Sequence, residues 1–392
     1  MKKFVMFFLI CILLSASKVQ ATENDEEREP ITFNVQLKEI QDSQISGINY
    51  DAIQQSINAG MGDRYQFDYK QLVNKIIGGQ YDLEGKTIVQ LLFTSVYRDV
   101  LDNTALIVRI LIISVIAAFF KTMTSAFENK QIAEMGFFVV FLLITTAVIQ
   151  SYNILNGTAN DLIVNMITFI EALVPSLLSV TVLSGATISS VMFSEAIIML
   201  IGIINGFVKT ILLPFLYILI IFVVLNTITD ESSLSKMIAL LKKGYEWTLK
   251  IMLWLFIGIF GLQSFGLPVV DGLITRTTKQ SLGIVPVVGS TLSEISDIVL
   301  GCGTVIKNAF GVGAIIAIIL IALTPVVKIA VIALAYKVSA AFIEPISEGR
   351  LVTCLSEIGD VCFLLLGTVL LVVLLFVIVI AMTLFITNTL LY

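Results

Sequence analysis

A chain of 392 residues, 57% hydrophobic and only 14% charged, cannot dissolve as an ordinary globular protein, because soluble domains are roughly 45–50% apolar and about 25% charged. With a mean hydropathy of +0.98, lipid must be part of its solvent. The net charge of -5 leaves no basic footprint for nucleic acid, and the absence of any histidine excludes Ser-His-Asp and Cys-His catalysis, HExxH zinc sites and His-ligated haem.

Residues 1–21 read as a cleavable signal peptide. Lys2 and Lys3 precede an apolar core at 4–14 that is too short to span comfortably, and Val19-Gln20-Ala21 offers small residues for cleavage. The rival reading is an uncleaved anchor. Cys11 lies in this segment, so Cys302, Cys354 and Cys362 remain; none forms a CxxC pair, and an odd number argues against a disulfide framework. The charge run TENDEEREP at 22–30 is a solvated leader. From there to 103 the chain is amphipathic, with Ile45, Ile48, Ile53 and Ile57 near helical spacing. The expectation is a small extracytoplasmic part at 22–103, resting partly on the membrane.

Residues 104–392 are expected to form a polytopic helical membrane domain, making the fold class all-α. A span needs about 20 mostly apolar residues, and about eight such segments follow: 104–120, 135–152, 162–183, 190–209, 211–229, 248–267, 309–335 and 361–387. The polar stretch 152–161 is expected as an outer loop. Lys236, Lys242, Lys243 and Lys250 are expected on a cytoplasmic loop, as is the stretch with Lys337 and Arg350. Trp247 and Trp254 bracket the start of one span as interfacial anchors would.

Inside these spans lie Pro175, Pro214 and Pro325, each of which removes a helix donor and tends to kink or break its helix. Such breaks require cover by protein or water, which points them inward. Charges in apolar surroundings follow the same logic: Glu171 is the foremost candidate for a buried partner, followed by Glu195, with Lys209 able to neutralise one of them. Val174-Pro175 and Val285-Pro286 stand 111 residues apart, as do Pro214 and Pro325. Identity at that offset is no better than two apolar segments give by accident, so an internal repeat stays open.

The segment 284–308 is too polar for a clean span and too apolar for a free loop, and it reads as a re-entrant hairpin or an interfacial helix pair. Its candidate contact residues are Pro286, Gly289, Glu294, Asp297, Lys307 and Asn308, with Glu344, Pro345 and Arg350 further on. Its glycines match neither GxxxxGK[ST] nor GxGxxG, so neither a nucleotide nor another cofactor is expected, and no Ser/Lys, paired-Asp or metal arrangement suggests an enzyme.

Three segments then carry a resemblance. VPVVGSTLSEISDIVLGCGTVIKNAFGVGAII at 285–316, EALVPSLLSV at 171–180 and AYKVSAAFIEPISEGRLVTCLSEIGD at 335–360 resemble, in order, characteristic segments of the stage III sporulation protein AE family. The resemblance implies a polytopic component of a mother-cell assembly acting during engulfment. Its implied partners are membrane lipid, other stage III membrane proteins and a forespore partner across the intermembrane space. Any ATPase would be another member. From the residues alone, a secondary transporter with a proline-broken core is the competing expectation.

Overall fold

A computed structural model of the chain describes residues 48–61, 67–78, 130–184, 187–228, 234–282, 288–345 and 349–388, with scattered helical positions between 94 and 119. The expected signal peptide, the charged leader, Ile45 and Pro286 lie outside the described residues. Among these, all regular structure is helical: α1 (Tyr50–Met61), α2 (Tyr69–Ile77), α3 (Lys130–Leu183), α4 (Thr187–Phe207), a π-helical turn (Val208–Leu212), α5 (Leu213–Ile228), α6 (Ser235–Leu282), α7 (Val288–Ile343) and α8 (Gly349–Asn388).

Among the described residues, four stretches are long and apolar enough to cross a membrane: Phe141–Val182, Ser194–Thr227, Leu300–Ile343 and Gly349–Leu384. Of the eight expected spans, 104–120 is described only at scattered positions, 248–267 lies on α6 with its side chains described only in part, and four of the others fuse in pairs. Segments 135–152 and 162–183 both lie on α3, whose 54 residues extend about 80 Å. The expected loop at 152–161 is helical because nothing in it stops a helix. Gly157 alone costs about 1 kcal/mol, and Ser151 and Thr158 bond back to the carbonyls of Val148 and Ile154 at 3.0 and 2.9 Å. Segments 190–209 and 211–229 also join, through the π turn, in which the Leu213 N–H reaches the Val208 carbonyl. That wider turn sits immediately before Pro214, where the regular bonding pattern lacks a donor.

Of the segment 284–308, expected as a re-entrant hairpin or an interfacial helix pair, the residues from Val288 onward are described. The chain there is the start of α7, which runs without reversal for 56 residues. Of its glycines, Gly303, Gly311 and Gly313 are buried, while Gly301 faces open space. Pro175 and Pro325 likewise sit inside continuous helices. Each forfeits one backbone bond, which the long flanking runs absorb.

The helices pack with definite directions. α7 and α8 are antiparallel: Lys337 meets Asp360 at one end, and Gly311 meets Leu384 at the other. About 25 residues separate these contacts along either helix, or roughly 37 Å at 1.5 Å per residue, slightly more than a hydrocarbon core of about 30 Å. α3 is antiparallel to α7, with Ser151 at Tyr336 and Asn165 level with Ile321, both beside Gly60. α6 runs with α8, through Lys242–Asp360, Tyr245–Thr368 and Leu249 against Gly367. The core is continuous through these helices and takes in Ile53 and Ile57 of α1, both fully buried.

Candidate functional site

The most developed polar site lies where α6, α7 and α8 meet. Asp360 of α8 is held between two lysines: Lys337 of α7 at 2.6 Å on Oδ1 and Lys242 of α6 at 3.2 Å on Oδ2. Lys242 also pairs with Glu357 at 3.1 Å, and Lys337 donates to the Ser356 hydroxyl at 2.9 Å. The lysine side chains are 17% and 32% exposed and Asp360 is 46% exposed, so the cluster stands at the edge of the packed region. Gly359 makes it geometrically feasible. A Cβ there would lie 3.1 Å from Cγ of Lys337, and its absence lets the lysine stem lie along α8. Two carboxylates balance two ammonium groups, so the joint ties three helices with no net charge.

Beside this joint runs a seam of hydroxyls and rings. Ser151 and Tyr336 share a hydrogen bond between α3 and α7. Tyr245 of α6 bonds the Thr368 hydroxyl at 2.6 Å. Tyr217 of α5 donates to Asn153 and meets the Tyr152 ring edge-on at 4.6 Å. Each bond crosses between helices, where a buried polar group without a partner would cost several kcal/mol in lipid. Cys302, Cys354 and Cys362 are free and buried.

At the other end of the α7–α8 pair, the α1–α2 hairpin docks on α7. Gln54 closes the hairpin on itself, donating to the Phe67 carbonyl at 2.6 Å and accepting from the Tyr69 N–H at 2.9 Å. Asp68 caps α2 through the Gln71 N–H. Tyr69 then donates to the Phe310 carbonyl at 2.7 Å and meets the Phe310 ring edge-on at 5.3 Å. Gly313 admits the contact: a Cβ there would come within 3.2 Å of the Tyr69 ring and 3.3 Å of Val73. Gly60 similarly lets α1 reach Ile321. Burial raises the Tyr69 hydroxyl well above its ordinary pKa and that of Tyr50 to about 12, so both stay protonated.

The residues singled out from sequence fall elsewhere. Glu171, Pro175, Glu195 and Pro214 are exposed on the single chain, while Lys209 and Pro325 are half-buried. The reason is periodicity. Glu171 and Pro175 fall on the stripe of α3 that includes Asp161, Val164, Thr168, Ser179 and Val182, opposite the face carrying Phe169, Leu173 and Leu177 into the core. Of the contact residues, Lys307 is fully buried and Asn308 half-buried, so Lys307 offers no free surface. Glu344, Pro345 and Arg350 are exposed around the α7–α8 turn, and Gly289, Glu294 and Asp297 lie in the first turns of α7.

Sequence reasoning missed Lys242, Glu357 and Asp360 as partners. The signal that could have found the Lys337–Asp360 pair is opposite charge on either side of the turn joining α7 to α8, which an antiparallel pair brings together.

A chain whose described residues form only helices, four of them with bilayer-length apolar stretches, and a charged joint between them, belongs to the class of helical membrane proteins. The sequence profile of stage III sporulation protein AE matches residues 67–387, and the chain belongs to that family. The stage III sporulation protein AE of Bacillus subtilis (strain 168) is 24% identical over 364 residues, covering 92% of this chain and 91% of that relative. No solved structure matches. Membership gives the chain a role in sporulation.

Proposed function

We propose that the chain is a multi-pass component of the mother-cell membrane within a channel or secretion-like complex. That complex would connect mother cell and forespore and be required for development after engulfment. The observation that carries this is the extent of the family match. It begins at α2 and ends in α8, so it takes in the Tyr69 contact on α7, the α7–α8 pair and the Lys337–Asp360 joint, and leaves out α1. In this reading the joint faces the cytoplasm and the hairpin faces the intermembrane space. Lipid surrounds the bundle, and other stage III proteins meet the exposed turn at Glu344, Pro345 and Arg350 and the first turns of α7. The chain itself acts without catalysis or cofactor. The competing transporter reading loses its main support, because Pro175 and Pro325 do not break their helices and Glu171 does not point into the bundle.

Deletion of the gene is expected to block development after engulfment, counted as loss of heat-resistant spores. In the deletion strain, Asp360→Glu should restore spores and Asp360→Asn should restore fewer, with both proteins present in the membrane. Normal heat-resistant spores from the deletion strain would refute the reading.

A further inference from the structure

α6 carries a second set of lysines that the joint does not use. Lys236, Lys243 and Lys250 recur every seven residues, and so do Leu240, Trp247 and Trp254. A seven-residue step returns to nearly the same side of a helix, so the six form one face in which a lysine alternates with a large apolar side chain. That face is turned away from the bundle: Leu240, Trp247 and Trp254 are 66%, 60% and 72% exposed. Lys242, one residue away from Lys243, points the other way and is neutralised by Glu357 and Asp360. Among the described residues, Lys236, Lys243 and Lys250 have no ion pair, so their charge is left for something outside the bundle.

A groove opens along one edge of this face, where Leu240, Lys243 and Trp247 adjoin it. It lies between the π turn with α5 and the first turns of α6, lined by Ile211, Leu212, Phe215, Leu241 and Tyr245, with Lys243 and Trp247 at its border. Its volume is about 630 Å³, in the range of small-molecule sites of ~300–1,000 Å³. The lining is apolar, yet the rim carries an unpaired ammonium and an indole.

We propose that this face binds anionic phospholipid, with one phosphate at Lys243 and its acyl chain in the groove, and with neighbouring anionic headgroups at Lys236 and Lys250, which stand about 10 Å to either side along α6. The charge complementarity selects the occupant. A neutral lipid would satisfy the tryptophans and the groove but leave three cations unanswered, and a second copy would bring the same three lysines against themselves. Basic residues beside a membrane helix attract anionic headgroups, and tryptophans settle at headgroup depth. This inference rests on the membrane placement proposed above and is independent of the role in sporulation.

The chain contains two tryptophans, and both lie on this face, so their emission reports it without a label. The full chain would be reconstituted in vesicles of phosphatidylcholine and phosphatidylglycerol at fixed mole fractions, with bromine quenchers on the acyl chains of one lipid at a time. Co-flotation with the vesicles establishes insertion. The expected result is quenching by brominated phosphatidylglycerol well above its mole fraction. Each Lys→Gln change at 236, 243 or 250 should lower the preference by about fivefold, and Lys243→Arg should keep it. Quenching proportional to mole fraction in the inserted wild type would overturn the proposal. Weak quenching by either lipid would assign the face to a second copy or a protein partner and overturn it equally. Inorganic phosphate added alone should leave the emission unchanged; a change would assign the lysines to a free anion instead. Failure to float would overturn the membrane placement itself.

Discussion

The two ends of the α7–α8 pair are fastened by different physics. At one end Asp360 is gripped by Lys242 and Lys337, and the contact is charge held at the edge of the bundle. At the other, Tyr69 and Val73 press on Gly313 while Tyr69 bonds the Phe310 carbonyl, and the contact is close packing with one buried hydrogen bond. The charged joint joins three long helices to each other, whereas the aromatic dock attaches a small hairpin to a helix already complete. The first should govern how the bundle is assembled, the second whether the N-terminal hairpin stays on it.

The largest effect that would break this contrast is expected from Gly313→Leu. The new side chain must displace the Tyr69 ring and Val73 together, and overpacking of this kind costs about 1–3 kcal/mol. Hydrogen exchange should show α2 losing protection while α8 keeps its own; equal loss in both would mean the two ends are not independent. Asp360→Ala should come next, leaving Lys242 with Glu357 alone and Lys337 with a hydroxyl. Fully buried pairs cost 3–5 kcal/mol when one partner is removed, but solvent screening at a site this exposed reduces that to about 1–2 kcal/mol. The thermal midpoint in detergent should fall, with α2 protection unchanged. Tyr69→Phe sharpens the comparison further, removing one hydrogen bond worth about 1 kcal/mol while keeping the ring, and α2 exchange should quicken modestly. The smallest effect is expected at Gly359→Ala. The Cβ would crowd the Lys337 stem at 3.1 Å, but the lysine is flexible and alanine favours helix by about 1 kcal/mol. The midpoint should therefore move little, and a large drop would show that the lysine cannot shift.

Helix content and apolar character were legible from composition and periodicity, because lipid-facing and core-facing residues are both oily and leave an unmistakable run. Where one helix ends and the next begins was not. Residues 152–161 are polar enough for a loop, but their hydroxyls bond back to the same helix and Tyr152 and Asn153 reach α5, so polarity there marks a helix–helix seam. The exposure of Glu171 and Pro175 on the single chain has a related reason: the cost of a charge in lipid says it must be covered, but a single chain need not be what covers it. The π turn before Pro214 could not be read either, since a proline signals a lost donor but not how the backbone adjusts. The Lys337–Asp360 joint was readable in principle, lying within the segment that carried the family resemblance, once α7 and α8 are folded back on each other.

The account turns on the α7–α8 pair crossing one bilayer with the dock and the joint on opposite faces. Asn58 on α1 and Glu344 at the α7–α8 turn are both exposed. Each can be changed singly to cysteine in a chain otherwise free of cysteine and treated in intact cells with a membrane-impermeant maleimide. Position 58 should label in intact cells and position 344 only after permeabilisation. Labelling of both positions from the same side would contradict the account.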